Sequence, residues 1–479
     1  MKTVLLIASA ILAIVALTLS LPLFTAIHFG ETAAAKSFLF SMVALLLLSI
    51  LVIALCRGKR KPLSLRESYA VVSLSWSLTS IFGAFPLYFS GAITDFPSAI
   101  FESVSGFTTT GATVMQSIDS APKSVNLWRC LEHWLGGMGI VTLTVALLPL
   151  LGVGGFQLIK AETTGPEKGK VTPKIATTAK FLWFIYFALT ALQTVLLKIA
   201  GLSFFDSICH SFATLGTGGF STKSESIGGF NSPAVDVICT IFMFLAGVNF
   251  SLYYYAFTGK FRELKTNSEL KAYIGIFAAA SILLAVFLKS TYGTIAAALR
   301  FASFQVASII TTTGFATADY THWTPAAQFV IFALFFIGGS SGSTGGGIKV
   351  VRWVVLAKQI GNEIRKILHP HGIYSLRLNG QPSGKGIIIS VSSFIFLYAA
   401  LVGATTFISC AFGLDLFTSF TASLSMVGNV GPAFGALGPS ATWGGIPNAL
   451  KIVYSFAMLA GRLELYTMLL FFFPSFWKK

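Results

Sequence analysis

The chain has 479 residues, of which 54% are hydrophobic and only 10% are charged, whereas roughly 25% of residues are charged in an ordinary soluble domain. Its apolar stretches are too long and too many for soluble cores, so the composition predicts an all-α polytopic membrane protein. The formal net charge of +16 does not indicate nucleic acid as a partner. Lys and Arg gather in clusters that recur once per two apolar stretches, and such clusters mark loops that stay in the cytoplasm.

The apolar stretches predict ten membrane spans. The first two, 3–27 and 36–56, form an N-terminal two-helix hairpin, and the apolar length of the first favours a retained span over a cleaved signal peptide. The other eight form four pairs, 68–90 with 126–155, 176–200 with 232–258, 268–290 with 325–360, and 387–412 with 446–475. The predicted units are the hairpin 1–62 and four repeats, 63–160, 161–262, 263–368 and 369–479. We expect both termini in the cytoplasm, together with the basic loops 57–67, 156–180, 259–271 and 361–386.

Between the two spans of each repeat lies an apolar helix of roughly ten residues, which is too short to cross a bilayer and must enter it and return. Each of these helices leads to a glycine turn. The four turns are Thr109-Thr110-Gly111, Thr214-Leu215-Gly216, Thr312-Thr313-Gly314 and Asn429-Val430-Gly431. One such turn is an ordinary loop, but four at similar spacing favour four pseudo-symmetric helix–pore loop–helix repeats around one pore. Their backbone carbonyls are then expected to replace the hydration shell of K⁺ in a selectivity filter.

The four turns are not identical. Leu215 and Val430 stand where the other copies have threonine, and Asn429 and Pro432 occur only in the fourth copy. Fewer equivalent carbonyl layers should leave fewer well-defined ion sites, so we expect relaxed discrimination between K⁺ and Na⁺.

The segment 338–347 carries six glycines in ten residues, which cannot hold a stable helix at membrane depth. These glycines are Gly338, Gly339, Gly342, Gly345, Gly346 and Gly347. Broken backbone is tolerated in a bilayer only where it is buried in protein or lines water. We therefore predict a gate loop across the pore, with Lys349 at its cytoplasmic end. A passive packing kink is the alternative, and a phosphate-binding loop is disfavoured because the pattern GxxxxGK[ST] is absent.

Arg462 lies inside the last apolar span, where an ionisable residue is costly and marks either a function or a buried pair. Glu464 is a poor partner, because residues i and i+2 do not face each other on a helix. We expect Arg462, together with Lys349, to limit the residence of K⁺ below the filter by repulsion. A structural salt bridge is the alternative.

Seven carboxylates fall in segments assigned to the extracellular face, namely Asp95, Asp119, Asp206, Glu225, Asp236, Asp319 and Asp415. They either concentrate cations at the mouth of the pore or, as favoured for Asp95, Asp206 and Asp415, cap the short helices. His133 has no second histidine at metal-ligand spacing, which favours a structural role.

These motifs resemble the membrane subunits of bacterial potassium-uptake systems in the Trk/Ktr/HKT superfamily, and most of all the TrkH type. The resemblance covers nearly the whole chain and includes the four turns, 133–139 (HWLGGMG), 213–221 (ATLGTGGFS), 342–349 (GSTGGGIK) and 461–464 (GRLE). The N-terminal hairpin favours the TrkH type over the shorter Ktr subunits. The resemblance implies a homodimer in the bacterial cytoplasmic (inner) membrane, with one pore per protomer. It also implies a cytosolic ring of nucleotide-binding, TrkA-type regulatory subunits, K⁺ as the bound and transported ion with no cofactor in this chain, and gating by the glycine-rich segment and Arg462.

Two other classes of function are disfavoured. An enzyme would need a paired-carboxylate, Ser/His or metal-ligand constellation, which the apolar spans lack, and a scaffolding protein would not need four filter turns. Within transport, a gated pore and a K⁺/Na⁺ or K⁺/H⁺ coupled symporter remain open, with the pore favoured because no proton relay is evident.

The basic loops generate a prediction about topology. In a cysteine-free background, an impermeant thiol reagent applied to intact cells should not label Lys168→Cys but should label Asp119→Cys. Permeabilised cells should label both positions. Labelling of Lys168→Cys from outside intact cells would contradict the ten-span topology.

Overall fold

The structure, a computed structural model, describes residues 2–56, 63–139, 175–382 and 385–477. The described residues are helical except for loops, short 3₁₀ turns and one two-residue β-hairpin, in which Arg377–Leu378 (β1) pairs antiparallel with Gln381–Pro382 (β2). The helices are α1 (Lys2–Thr18), α2 (Ser20–His28), α3 (Thr32–Leu55), α4 (Leu65–Phe89), α5 (Phe96–Phe107), α6 (Lys123–Gly137), α7 (Ile175–Ile199), α8 (Phe204–Gly216), α9 (Pro233–Ala246), α10 (Phe250–Phe257), α11 (Phe261–Thr266), α12 (Ser268–Tyr292), α13 (Ile295–Ile310), α14 (Pro325–Leu334), α15 (Val350–Leu368), α16 (Lys385–Ala411), α17 (Leu416–Gly428), α18 (Asn448–Arg462), α19 (Tyr466–Leu469) and α20 (Pro474–Trp477).

Six helical segments in the described part of the chain are long and apolar enough to cross a membrane. Two further helix pairs raise that number to eight if each counts as one span; α9 and α10 meet at 91°, and α18 and the segment Tyr466–Phe472 meet at 118°. Of the other two predicted spans, 126–155 is described only as far as 139. The last, 325–360, is split into α14 and α15 by a non-helical segment, as its glycines predict.

The first long helix of each repeat carries a short helix packed against it: α5 on α4, α8 on α7, α13 on α12 and α17 on α16. Each short helix begins at a side-chain N-cap, supplied in turn by Asp95, Ser203, Thr294 and Asp415. The predicted capping role of Asp95 and Asp415 is therefore confirmed. Asp206 lies in the first turn of α8, where its carboxylate accepts a hydrogen bond from the Ser203 cap at 2.6 Å.

Neighbouring repeats join through these short helices. Helix α8 packs on α6, α13 on α9, and α5 on α18, while the third and fourth repeats meet through the rings of Phe332 and Phe420, whose centroids are 6.2 Å apart. The four repeats thus close into a ring with the first repeat beside the last. The N-terminal hairpin lies against the first repeat, where Glu31 accepts the backbone N–H groups of Lys123 and Ser124 and so caps α6.

The predicted division into five units stays a prediction. Its boundaries at 62 and 160 lie outside the described residues, as do most of the basic loop 156–180 and positions 57–62, the first part of the loop 57–67. The boundary between 262 and 263 falls inside the short helix α11.

Candidate ion pathway

The loops that follow the four short helices share one backbone pattern. Each contains a non-glycine residue in the left-handed region and, two residues later, a glycine with positive φ. The non-glycine residues are Thr109, Thr217, Thr312 and Asn429, with φ of 56°, 55°, 59° and 55°, and the glycines are Gly111, Gly219, Gly314 and Gly431, with φ of 81°, 80°, 78° and 101°. Left-handed threonine is unfavourable, so it persists only where the surroundings impose it. We call 109–111, 217–219, 312–314 and 429–431 the filter loops.

The glycines of the filter loops meet one another around a closed ring. A Cβ atom placed on any of them would collide with the carbonyl oxygen of the residue that precedes the glycine in the next repeat. The colliding pairs are Gly111 with Gly218, Gly219 with Thr313, Gly314 with Val430, and Gly431 with Thr110. The order runs through repeats one, two, three and four and returns to one. Four backbone segments therefore approach a common axis so closely that only glycine fits at these positions.

In the second repeat the structure corrects the predicted alignment by three residues. Gly216 is the last residue of α8, and its filter position is taken by Gly219. Thr214 and Leu215 also lie inside α8, where the Thr214 hydroxyl accepts a hydrogen bond from Gln193 at 2.9 Å. The pattern Thr-x-Gly occurs twice in succession here, as 214–216 and as 217–219. Which copy forms the filter loop depends on where α8 ends, and it ends at Gly216.

In the first and third repeats, the residue between the left-handed threonine and the glycine is a threonine whose hydroxyl pairs with that of a second threonine. Thr110 Oγ1 lies 2.8 Å from Thr108 Oγ1, and Thr313 Oγ1 lies 2.7 Å from Thr311 Oγ1. In the fourth repeat, Asn429 donates from Nδ2 to Thr110 Oγ1 at 3.0 Å. The amide that occurs only in this repeat therefore ties the last filter loop to the first.

All four filter glycines line one cavity of about 120 Å³. The segments that follow the filter loops surround this cavity, and a hydrogen bond joins each of them to the next. These bonds are Ile118 N to Ser224 Oγ (3.1 Å), Gly228 N to Ala316 O (3.0 Å), Tyr320 Oη to Ala433 O (2.8 Å) and Trp443 N to Thr113 O (2.8 Å). The outer mouth is thus a hydrogen-bonded belt in which every repeat holds its neighbour.

Charge at this mouth is mixed. Hydrogen bonding from Ser224 holds the pKa of Asp119 below its ordinary value, so that this carboxylate is ionised at neutral pH. Lys223 lies 3.5 Å from Asp119, and both Lys223 and Arg129 line the cavity. At this part of the mouth, the negative charge of Asp119 therefore lies beside the positive charge of Lys223.

The glycine-rich loop, residues 338–347, lies at the opposite end of the filter loops from the cavity. The N–H of Gly346 donates to Thr312 Oγ1 at 2.6 Å. A Cβ atom on Gly346 would lie 2.6 Å from the carbonyl oxygen of Gly428, and one on Gly345 would lie 2.9 Å from that of Thr311. The loop therefore packs directly on the start of the third and fourth filter loops.

Two cations, one buried and one partly buried, hold this loop through its carbonyl groups. Lys349 is 2% exposed, and its ammonium donates to the carbonyl oxygens of Gly345 and Gly346. Arg462 donates from Nη1 to Thr344 O at 2.7 Å. Its other terminal nitrogen, Nη2, donates to the carbonyl oxygens of Gly136 at 2.8 Å and Gly137 at 3.1 Å. Arg462 thus ties the glycine-rich loop to the end of α6.

Two carboxylates make further bonds here; Glu269 was not singled out from the sequence, and Glu464 was considered there only as a poor partner for Arg462. Glu269, in the first turn of α12, accepts the Ser341 N–H at 2.7 Å, the Ser341 hydroxyl at 2.8 Å and the Val351 N–H at 3.1 Å. Glu464 pairs with Arg352 on α15. An acidic residue in a first turn resembles an ordinary helix-dipole contact, so Glu269 gave no sequence signal of its own.

His133 bridges two repeats. Its Nδ1 lies 2.7 Å from the carbonyl oxygen of Gly106 in α5, and its Nε2 accepts the N–H of Phe220, just after the second filter loop, at 3.1 Å. Its ring stacks on that of Phe220 with centroids 4.2 Å apart. The side chain is fully buried, and these contacts give it the structural role expected from the sequence.

A ring of re-entrant loops between long apolar helices defines a multi-pass membrane protein with one central pathway. A family model described as "TrkH: Cation transport protein" matches residues 34–291 and 281–479. The chain belongs to the TrkH family of cation transport proteins, as the sequence motifs predicted, and is therefore a transporter rather than an enzyme.

Named relatives support this assignment. The chain is 40% identical over 430 residues to the Trk system potassium uptake protein TrkH of Halomonas elongata, with 88% of each chain covered. It is 38% identical over 433 residues to TrkH of Escherichia coli K12, again with 88% of each covered. The crystal structure of the potassium transporter TrkH from Vibrio parahaemolyticus matches with a TM-score of 0.89 and 32% identity, covering 100% of this chain and 99% of that chain. The predicted fold class is thereby confirmed.

The glycine ring generates a prediction about selectivity. Gly219→Ser and Gly314→Ser should lower the preference for K⁺ over Na⁺ in reconstituted vesicles, because a side chain at either position displaces the facing carbonyl. Gly91→Ser is the matched control, since Gly91 has a similar φ of 74° but open space around its Cα. Wild-type ion preference in folded Gly219→Ser and Gly314→Ser proteins would contradict the ring.

Proposed function

We propose that this protein takes up potassium across the bacterial cytoplasmic (inner) membrane through a selective, gated pore, as the membrane subunit of a Trk-type system. The closed ring of filter loops is the observation that carries the proposal. Four short helices end at that ring, and the negative ends of their dipoles favour a cation there. The relatives' names as potassium uptake proteins support K⁺ as the ion.

The proposed ion-binding residues are those of the filter loops, with the second loop corrected. They are Thr109, Thr110, Gly111, Thr217, Gly218, Gly219, Thr312, Thr313, Gly314, Asn429, Val430 and Gly431. We propose that the carbonyl oxygens that precede the four glycines, each of which lies against the glycine of a neighbouring filter loop, are the groups that replace water around K⁺. K⁺ is both the bound and the transported ion, and we propose no cofactor in this chain.

The proposed gate is the glycine-rich loop, with Gly338, Gly339, Gly342, Gly345, Gly346 and Gly347 supplying its backbone freedom. Its contacts with Thr312 and Gly428 support a position across the pathway immediately beside the filter. Lys349, Arg462 and Glu269 keep it there. The loop continues without interruption into α15, so displacement of α15 pulls directly on the loop.

The proposed partners follow from the same helix. Beyond its buried start, α15 carries Lys358, Arg365 and Lys366 together with isoleucines at 360, 364 and 367 that are 61%, 53% and 78% exposed. A basic helix with an uncovered apolar stripe supports docking of a cytosolic protein, for which we propose the nucleotide-binding ring of the TrkA type. We further propose a homodimer with one pore per protomer and both termini in the cytoplasm.

Two experiments test the function. Expression in a bacterium that lacks its own potassium uptake should restore growth at low K⁺, and failure to restore it with a folded, membrane-inserted protein would contradict the proposal. Reversal potentials in reconstituted vesicles under separate K⁺, Na⁺ and proton gradients then decide between the pore and the alternative of K⁺/Na⁺ or K⁺/H⁺ symport. A reversal potential that follows the proton or Na⁺ gradient in fixed ratio with K⁺ would establish coupling.

The hydrogen bonds that hold the glycine-rich loop generate a prediction about gating. Arg462→Ala and Glu269→Gln should each raise the K⁺ flux of vesicles that lack the regulatory partner. Each change removes or weakens a charge-assisted bond that keeps the loop closed, and one such bond corresponds to about a tenfold shift in the open population. Glu263→Gln, an exposed carboxylate on α11, is the matched control and should leave the flux unchanged.

A second gating prediction concerns the loop itself. Deleting two of the three consecutive glycines Gly345, Gly346 and Gly347 removes the contacts with the third and fourth filter loops. Basal K⁺ flux should then rise without the partner. Unchanged or lower flux in well-folded deletion protein would mean that this segment is a packing kink.

A further inference from the structure

A pair of opposite charges is fully buried behind the first two filter loops, with Arg129 in the wall of the outer cavity. Arg129 Nε on α6 lies 2.7 Å from Glu102 Oε1 on α5, and both side chains are 0% exposed. A buried ion pair recovers its desolvation cost only with excellent geometry and further hydrogen bonds, so it is weak evidence for stability. The contacts of these two residues point to a different role.

The Glu102–Arg129 pair is bonded to the outer ends of two filter loops. Glu102 accepts the Val114 N–H and the Thr113 hydroxyl, each at 2.8 Å, just after the first filter loop. Arg129 donates to Thr113 Oγ1 at 3.1 Å and to the Ser221 carbonyl oxygen, just after the second filter loop, at 3.5 Å.

Arg129 makes a second contact with the second loop. Its guanidinium lies 4.1 Å from the centre of the Phe220 ring, and Phe220 directly follows Gly219. Asn126 Oδ1 accepts a further hydrogen bond from Arg129 at 3.1 Å, which fixes the guanidinium in one orientation. The pair therefore spaces the first two filter loops from behind.

The other repeats place different side chains at the position of Glu102. The residues that precede the filter glycine of their own repeat by the same distance as Glu102 precedes Gly111 are His210, Gln305 and Ala422. His210 Nε2 lies 2.9 Å from Ser221 Oγ, and Gln305 Nε2 donates to Ala318 O at 3.1 Å. Ala422 has no polar group, and its neighbour Thr421 accepts the Phe434 N–H at 3.2 Å. Each repeat thus braces its own loop, but in these four positions only the first repeat does so with a charge.

We propose that Glu102 and Arg129 are positioning residues that set the preference for K⁺ over Na⁺ by fixing the spacing of the first two filter loops. This inference rests on the proposed function as a K⁺-selective pore. Na⁺ is the smaller ion and requires carbonyl oxygens to move inward. Charge-assisted hydrogen bonds resist that movement more strongly than the neutral bonds of the other repeats.

The test is the K⁺/Na⁺ permeability ratio, taken from reversal potentials in vesicles with K⁺ on one side and Na⁺ on the other. The double variant Glu102→Gln/Arg129→Gln removes both charges together and leaves no buried charge without a counter-ion. It should retain K⁺ flux while the ratio falls about tenfold, the size of one charge-assisted hydrogen bond. Thr421→Val, which removes a neutral brace, should lower the ratio less.

Asp236→Asn/Arg300→Gln is the matched control. These residues form another ion pair, 3.5 Å apart between α9 and α13, and neither touches a filter loop in the contacts described, so the ratio should not change. If the Glu102→Gln/Arg129→Gln protein does not fold, Arg129→Lys takes its place in the test and should also lower the ratio. Lysine keeps the charge but lacks the planar fork that reaches Thr113 and Ser221 together.

The outcomes separate the two claims. Wild-type protein without any preference for K⁺ in these vesicles would overturn the proposed function. A selective wild type with an unchanged ratio in the folded double variant, or in Arg129→Lys where that variant decides, would overturn the positioning role alone. An equal loss in Thr421→Val would overturn the special role of the charged pair.

Discussion

The structure depends on the approach of four backbone segments to one axis at distances that exclude every side chain. Each filter glycine lies against a carbonyl group of the next repeat, so the ring holds only if all four loops keep their places at once. Carbonyl dipoles that point at a common axis repel one another, and backbone at this depth has no water to satisfy it. The belt around the outer mouth, the His133 bridge and the buried braces behind the loops all oppose that repulsion with hydrogen bonds.

The same shortage of water explains the contacts of Lys349 and Arg462. Three of the second helices in the repeats break in the described part of the chain, and each break frees carbonyl groups that a continuous helix would have satisfied. Arg462 donates hydrogen bonds to carbonyl oxygens at the end of α6 and in the glycine-rich loop, and Lys349 donates to two carbonyl oxygens of the loop itself. These charges are thus solvated by backbone dipoles, and the bonds that solvate them also hold the loop against the filter. Lys349 and Arg462, which were expected from the sequence to repel K⁺, are thus the side chains that hold the glycine-rich loop in the structure.

The periodic features of the chain were predictable. Apolar length identified the long helices, a short helix before each turn identified the re-entrant elements, and six glycines identified the break between α14 and α15. The register of the second filter loop was not predictable, because Thr214-Leu215-Gly216 and Thr217-Gly218-Gly219 differ only in how far α8 extends. Glu102, Arg129 and Glu269 were missed for another reason. Each reads as an ordinary charged residue of a helix, and its role exists only through partners distant in the sequence, such as Ser221 for Arg129 and Ser341 for Glu269.

Four unequal repeats in one chain allow an asymmetric gate that four identical subunits could not build. At the start of the filter loops, the Thr217 hydroxyl donates to the Gly216 carbonyl oxygen at 2.6 Å. The Thr312 hydroxyl instead accepts a hydrogen bond from the N–H of Gly346 in the glycine-rich loop. Thr109 Oγ1 and Asn429 Oδ1 have no hydrogen-bond partner among the described residues. The loop therefore packs on the third and fourth filter loops, and these two oxygen atoms have no such partner beside it. The other bonds that hold the loop, from Lys349, Arg462 and Glu269, do not involve the filter glycines, so the proposed opening of the loop breaks bonds outside the glycine ring that is proposed to select the ion.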